Sequence, residues 1–219
     1  MSLALYAHPF SSYCQKVLIA LYENDTAFEL RLLAPGHDRE AAEHRALWPL
    51  GRFPVLLDAD QPVVEATIII EHLGLHHPGP VRLLPDDRSA ALHVRMLDRC
   101  FDNYVMTPMQ KVVGDSIRGA ERRDRQGVAE AHELLTTAYR WLDATLKDRE
   151  WSAGDAFTLA DCAAAPALFY ADWVHPIDDA LSTLRAYRAR LLARPSFARA
   201  VEEARPYRSL FPLGAPDRD

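Results

Sequence analysis

The sequence predicts a small α/β domain followed by a larger all-helical domain. Strand-like and helical patterns alternate over residues 1–77. Residues 78–87 hold three prolines and a glycine and have no helical period, which indicates a linker. Over residues 88–219 the apolar residues recur at helical spacing, without a convincing strand. The expected organisation is therefore an α/β domain over 1–77, a linker over 78–87 and a helical domain over 88–219.

The chain begins with a strand–helix–strand pattern. Leu3–Tyr6 is apolar and predicts a buried strand, and Ser12–Glu23 carries apolar residues at helical spacing until Asn24 and Asp25 stop it. Phe28–Leu33 alternates as a second strand. Because such crossover connections are right-handed, the two strands are expected to be parallel.

A helix, a hairpin and a second helix complete the first domain. Asp38–Leu47 is a polar helical stretch. Pro54–Leu57 and Pro62–Val64 predict a hairpin around residues 58–60, and Thr67–His76 predicts a helix. The element order is βαβ, then α, then ββα.

The second domain is predicted to contain long helices with two marked boundaries. Thr158 and Asp161 have the spacing of a capping box, which begins a helix. Arg194 and Pro195 end one helix, and Ser196 is expected to cap the next. The predicted helices are Ser89–Ile117, Arg125–Lys147, Leu159–Trp173, Leu181–Ala193 and Phe197–Ala204.

Composition excludes several classes of protein. The net charge of −6 disfavours nucleic acid, which requires a basic surface. No apolar run is long enough to span a membrane, and the chain starts without a charged leader. Cys14, Cys100 and Cys162 are widely spaced and odd in number, so reduced thiols and a cytoplasmic protein are expected. No spacing among these cysteines indicates a metal site, and no metal is expected.

Short motifs in a fixed order connect both domains to a known family. They are "SSYCQK" from Ser11, "WPLGRFPVLL" from Trp48, "EATIIIEHL" from Glu65, "TLAD" from Thr158 and "RPSFARAVEEARPY" from Arg194. Together they resemble the glutathione transferase family, in its bacterial-like serine type. The resemblance implies a thioredoxin-like first domain, a helical-bundle second domain, glutathione as co-substrate and a homodimer.

The start of the first helix carries the candidate catalytic serines. The resemblance implies that Ser11 donates a hydrogen bond to the glutathione sulfur, with Ser12 as a substitute. A thiol with the ordinary pKa of about 8.5 is only ~3% ionised at pH 7, and lowering that pKa by two units requires ~2.7 kcal/mol. A charged hydrogen bond and helix-start amides can supply this. The alternative is that either serine merely caps the helix. Tyr6 and Cys14 are expected to be buried core residues instead.

Four further residues match the family's glutathione-binding positions. The resemblance implies a cis peptide bond between Phe53 and Pro54, with the Phe53 backbone pairing with the cysteinyl part of glutathione. Arg52 stands near the expected glycyl carboxylate, although an unpartnered surface arginine is equally consistent. Glu65 matches the acidic residue that contacts the γ-glutamyl amine.

Ala66 departs from the family pattern. The family usually has a serine at this position, so the hydroxyl contact to the glutamyl carboxylate is missing, while the backbone amide of Ala66 can still bind it. Thr67 offers a replacement hydroxyl. The loss of one modest hydrogen bond costs about 1 kcal/mol.

The electrophile pocket is expected against the first long helix of the second domain. In "FDNYVMTPMQKVV" the apolar side chains share one helical face, with Pro108 as a kink. Tyr104 and Met109 are the named candidates for substrate contact. The alternative is that this stripe is core.

The predicted activity is a glutathione S-transferase acting on a small hydrophobic electrophile. Three alternatives keep glutathione but change the reaction to isomerisation, dehalogenation or disulfide reduction, of which the last would need Cys14. A non-catalytic binding module with the same fold is the remaining alternative, and Ala66 favours it.

Overall fold

The computed structural model describes residues 3–219, so Met1 and Ser2 of the predicted first domain lie outside the described residues. Four strands form one sheet in the order β2-β1-β3-β4. Strands β1 and β2 are parallel, as predicted, and the β1–β3 and β3–β4 pairs are antiparallel. The strands are β1 (Leu3–Ala7), β2 (Phe28–Leu32), β3 (Val55–Asp58) and β4 (Gln61–Val64).

Helices alternate with these strands and then follow one another as far as Leu210. In the first part they are α1 (Ser12–Glu23), α2 (Asp38–Leu47) and α3 (Ala66–His76). In the second part they are α4 (Arg88–Cys100), α5 (Thr107–Ser116), α6 (Arg125–Thr145), α7 (Leu159–Val174), α8 (Ser182–Ala193) and α9 (Pro195–Ala204). Short 3₁₀ helices span Ala120–Arg122 and Arg205–Leu210.

Helices α1 and α7 form the centre of the molecule. Helix α1 contacts α3 on one side and α7 and α9 on the other. Every residue of α7 from Leu159 to Asp172 is buried, and its many alanines allow this close packing. The predicted capping box begins this helix, with the Thr158 N–H donating to Asp161 Oδ2 at 2.8 Å. The predicted fold class, an α/β part followed by a helical bundle, is confirmed.

The predicted helix Ser89–Ile117 is not continuous. A π-helix over Phe101–Met106 separates α4 from α5. The Thr107 N–H bonds to the carbonyl of Asp102, five residues back, and the Thr107 hydroxyl donates to the same oxygen at 2.9 Å. Pro108 follows and has no N–H for a normal helical bond. The wider turn therefore changes which side chains face the core.

The prediction that Ser196 caps the last helix is wrong. Arg194 is the N-cap residue, Pro195 takes the first helical position and Ser196 lies inside the helix. Proline suits that first position because its fixed φ is already helical. The Ser196 hydroxyl and the Arg194 guanidinium both bond to Glu23 at the end of α1, which fixes the two helix ends together.

The cysteines form no disulfide within residues 3–219, as expected from their number and spacing. Cys14, Cys100 and Cys162 are all free thiols. Within residues 3–219, no helix combines the length and the apolar character needed to cross a membrane.

Candidate active site

A cleft of about 1060 Å³ opens beside the end of β1 and the beginning of β3. One wall consists of the starts of α1 and α3 and the loop at residues 51–54. The other wall comes from the α4–α5 region, α7 and the C-terminal segment. The volume is at the upper end of the range usual for small-molecule sites.

Both candidate serines line the cleft at the start of α1. Ser11 is the N-cap residue, and its Oγ accepts the N–H of Cys14 at 3.5 Å. Ser12 is the first helical residue and is 7% exposed, whereas Ser11 is half-buried. A hydroxyl that accepts a helix amide keeps its own proton free to donate. The capping role of Ser11 is thus compatible with a hydrogen bond to a ligand.

The start of α1 is electropositive. Its first turn contains no acidic residue to offset the partial positive charge of the helix-start amides. An anion at this position gains both the helix-terminus potential and the hydroxyl proton.

The Tyr6 hydroxyl and the Cys14 thiol, the two alternatives weighed for this helix, are buried. The Tyr6 hydroxyl donates to Glu43 Oε2 of α2 at 2.9 Å, and burial raises its pKa, with further contributions from Glu43. The Cys14 thiol is fully buried, and burial raises its pKa to about 12, although the Ser11 hydrogen bond opposes this. Neither group supplies an anion at neutral pH.

The loop before β3 presents backbone groups to the cleft. Arg52, Phe53 and Pro54 line the cleft, and the Phe53–Pro54 peptide bond is cis, as the resemblance implied. Among residues 3–219 the backbone N–H and C=O of Phe53 make no hydrogen bond, so both are free for a ligand. The buried His44 of α2 fixes this loop through a 3.0 Å bond from its Nε2 to the Arg52 carbonyl.

The start of α3 differs chemically from that of α1. Glu65 is its N-cap residue, with a φ of 70° and an exposed side chain that makes no capping bond. A positive φ is costly for a residue with a side chain, and such strain often occurs at functional sites. Ala66 begins the helix and lines the cleft beside Glu65. The arrangement presents a carboxylate and a helix-start amide to the same ligand.

Thr67 does not supply the hydroxyl that Ala66 lacks. Its Oγ1 donates to Asp98 Oδ2 at 2.9 Å and accepts from Lys16 Nζ at 2.9 Å. Lys16 is 1% exposed and pairs with Asp98 at 2.5 Å and Asp102 at 2.8 Å. Arg99 bonds to both carboxylates and lines the cleft. This ion cluster connects α1, α3 and α4 and fully occupies the threonine.

The second wall combines apolar side chains with polar ones such as Arg99, Asn103 and Gln110. Met109 of α5 lines the cleft, as predicted for an electrophile pocket, but Tyr104 does not and is 50% exposed. The π-helix explains the difference, because its wider turn moves Tyr104 off the stripe that contains Phe101 and Val105. Sequence periodicity of an ordinary helix could not show this.

Several residues that line the cleft were not predicted from the sequence. Tyr170 of α7 and Phe211 after the last 3₁₀ helix both face the cleft, far along the chain from the first domain. His8 also lines it; its Nδ1 accepts the Phe10 N–H at 3.1 Å, and burial lowers its pKa. The only sequence signal for His8 was its position just before the serine motif.

The two parts of the chain each match a known domain family. Residues 5–81 match the glutathione S-transferase N-terminal domain, and residues 102–195 match the glutathione S-transferase C-terminal domain. The chain belongs to the glutathione S-transferase family. Its first part is therefore a thioredoxin-like domain, as expected. The protein is a glutathione transferase, as predicted.

Individual members of the family match over nearly the full chain. A glutathione S-transferase from Methylobacterium radiotolerans, solved with glutathione sulfonate, is 30% identical with a TM-score of 0.79, covering 92% of this chain and 95% of that one. A glutathione S-transferase from Hyoscyamus muticus is 28% identical, covering 92% of this chain and 99% of its own. A probable maleylacetoacetate isomerase from Vibrio cholerae is 27% identical, covering 94% and 98%.

Proposed function

We propose that this transferase binds glutathione in the cleft and activates its thiol through the Ser11 hydroxyl. The observation that carries the proposal is the position of Ser11, which is half-buried in the lining at an electropositive helix start. Its proton is free to stabilise a thiolate, while Ser12 is nearly covered. A charge-assisted hydrogen bond contributes about 1.5–3 kcal/mol, and the helix start adds about 0.3–1 kcal/mol.

Glutathione is held along the first wall of the cleft. The free backbone N–H and C=O of Phe53 pair with its cysteinyl part, and Arg52 attracts its glycyl carboxylate. Glu65 binds the γ-glutamyl amine, and the backbone N–H of Ala66 at the start of α3 binds the γ-glutamyl carboxylate. This arrangement places the sulfur towards the start of α1.

The electrophile occupies the apolar side of the same cleft. Met109, Tyr170 and Phe211 provide its lining, so a small hydrophobic electrophile is the favoured second substrate. The thiolate forms a bond to the electrophilic carbon, the leaving group departs with the electron pair of the broken bond, and the thiol proton goes to solvent. Holding both reactants in one cleft raises the reaction rate because the reacting atoms are already close together.

The test is glutathione binding by calorimetry together with conjugation of 1-chloro-2,4-dinitrobenzene. We expect Ser11→Ala to lower kcat about 100-fold, which corresponds to the loss of one charged hydrogen bond, and to change the glutathione Kd less than about threefold. Ser12→Ala is the matched control and should retain most activity. Absence of glutathione binding would overturn the proposal and favour a non-catalytic module.

A second candidate reaction is a glutathione-dependent cis–trans isomerisation. The relative from Vibrio cholerae is named a probable maleylacetoacetate isomerase, and the half-exposed Arg99 lies in the cleft lining, where it can contact an acidic substrate while it stays paired with Asp98 and Asp102. Isomerisation of maleylacetoacetate only in the presence of glutathione would establish it. Turnover of the aromatic halide without isomerisation would leave the conjugating function alone.

Of the candidate glutathione reactions, disulfide reduction has the least structural support. Cys14 is fully buried with a raised pKa of about 12, so it lacks the thiolate that attacks a disulfide. We expect Cys14→Ala to leave any glutathione-dependent activity within about twofold of the parent.

We further propose a homodimer. Helices α3 and α4 are joined by a two-bond ion pair between Glu71 and Arg95, and beside it both helices expose large apolar side chains. These are Ile68, Leu75, Leu92 and Met96. Light scattering should give twice the chain mass of 24.7 kDa, and Leu92→Glu should shift it towards the monomer.

The cytoplasm is the proposed compartment. All three thiols are free, and two of them, Cys14 and Cys162, are fully buried. A reducing environment matches such thiols and keeps glutathione in its reduced form. Cell fractionation with an antibody to this chain checks the assignment.

A further inference from the structure

A second cluster of reactive side chains lies outside the cleft. The Oδ2 atom of Asp58 accepts hydrogen bonds from His72 Nε2 at 2.9 Å and from His77 Nε2 at 2.7 Å. These three atoms all lie within 4.8 Å of one another. The transferase reaction proposed above uses none of them.

The cluster is at the opposite end of the same two elements that build the glutathione wall. Along β3, Val55 pairs with Tyr6 near the cleft, whereas Asp58 pairs with Leu3 at the far end. Helix α3 begins in the cleft at Ala66 and ends at His76. At about 1.5 Å per residue this helix is roughly 16 Å long, so the cluster is a separate site.

The local structure explains why the side chains converge. Asp58 is the last residue of β3, and the hairpin turn directs the chain away from it. His72 lies in the last turns of α3, and His77 is the C-cap residue, where the backbone leaves the helix. The three side chains are 12%, 16% and 29% exposed for His72, Asp58 and His77 respectively. They are held together by the two hydrogen bonds and remain partly accessible to solvent.

The donor set matches a transition metal rather than a hard cation. Two imidazole nitrogens and one carboxylate oxygen are typical ligands of zinc, whereas calcium and magnesium prefer oxygen alone. With bonds of about 2.0–2.2 Å, ligand atoms in a tetrahedron lie roughly 3.4 Å apart. The present nitrogen–oxygen separations of 2.7 and 2.9 Å therefore need to open by only about 0.5–0.7 Å to reach that spacing. We propose that Asp58, His72 and His77 bind one divalent transition-metal ion, with zinc the best fit and water in the fourth position.

Binding would exchange hydrogen bonds for metal bonds. Each imidazole then carries its proton on Nδ1 and gives its Nε2 lone pair to the metal, while Asp58 gives a carboxylate oxygen. The ion would join the end of β3 to the end of α3. Since it binds the folded arrangement, it should raise the thermal midpoint.

The experiment uses the full chain without a purification tag, freed of metal by a chelator. Calorimetry with zinc chloride should show one ion per chain, and cobalt should give the intense visible bands of a tetrahedral site. Asp58→Asn and His77→Ala should each weaken zinc binding at least about tenfold and abolish the zinc-dependent rise in Tm. His37→Ala, which removes a partly exposed histidine elsewhere, is the control and should bind within about twofold of the parent.

The readouts do not depend on transferase activity, so they separate this proposal from the function of the cleft. Absence of zinc binding, or equal binding by the parent and both cluster variants, would show that the three residues form only a hydrogen-bonded clip. His77 lies at a helix end and is partly exposed, so His77→Ala keeps the test valid if Asp58→Asn fails to fold.

Discussion

Two helix starts meet at the cleft, and they face their ligand in different ways. Helix α1 begins with Ser11, whose extended backbone is relaxed and whose hydroxyl caps the helix. Helix α3 begins with Glu65, whose φ of 70° is strained and whose side chain makes no capping bond. The first start provides a proton donor for an anion, and the second provides a carboxylate and a free amide. In the proposed reaction, α1 therefore determines the chemistry of the sulfur and α3 determines binding of the tripeptide.

Breaking the connection between the two starts should have the largest effect. Lys16 of α1 pairs with two buried carboxylates and with Thr67 of α3. We expect Lys16→Met to lower the free energy of unfolding by about 3 kcal/mol, because it leaves Asp98 and Asp102 with only the half-exposed Arg99 as a cation. Denaturant unfolding measures this change.

The double variant Lys16→Met with Asp98→Asn is the control for the charge balance. It removes one of the carboxylates together with the lysine, so it should recover part of the lost stability. A loss below about 1 kcal/mol in the single variant would show that the ion cluster does not join the helices energetically.

The strain at Glu65 offers a second test. Glycine accepts a positive φ without cost, so Glu65→Gly should raise the free energy of unfolding by about 1 kcal/mol while weakening glutathione binding about tenfold. Thermal melts and calorimetry measure the two changes. Glu65→Ala is the matched control, since it removes the same carboxylate but keeps the strain. Equal stability of the two variants would contradict the account of strain.

A smaller effect, a gain in glutathione affinity, is expected from a change at Ala66. Ala66→Ser would add the hydroxyl that related transferases use, and one modest hydrogen bond should tighten glutathione binding about fivefold. Ala66→Val adds similar bulk without a hydroxyl and should not tighten it. Unchanged affinity in the serine variant would show that the helix-start amide alone satisfies the γ-glutamyl carboxylate.

The order of elements could be predicted from sequence because each has a local signal. Apolar alternation, helix stops and the Thr158–Asp161 capping box all act within a few residues, and these elements were confirmed. The helix starts at Ser12 and at Thr158–Leu159 were correct for the same reason.

The features that depend on distant contacts could not be predicted. The π-helix at Phe101–Met106 breaks the helical period and moves Tyr104 out of the cleft lining. Ser196 has no capping role because the helix already begins at Pro195, and its hydroxyl instead contacts Glu23, distant in the chain. Thr67 is unavailable to a ligand because Lys16 and Asp98 meet it only in the folded chain.

The most direct measurement is the pKa of the glutathione thiol in its complex, followed by the ultraviolet absorbance of the thiolate. We predict a thiol pKa about two units below that of free glutathione for the parent and for Ser12→Ala. For Ser11→Ala we predict a rise in this pKa of at least about one unit relative to the parent, with the tripeptide still bound. An unchanged thiol pKa in Ser11→Ala, or a rise in Ser12→Ala alone, would contradict the role of Ser11 and the start of α1.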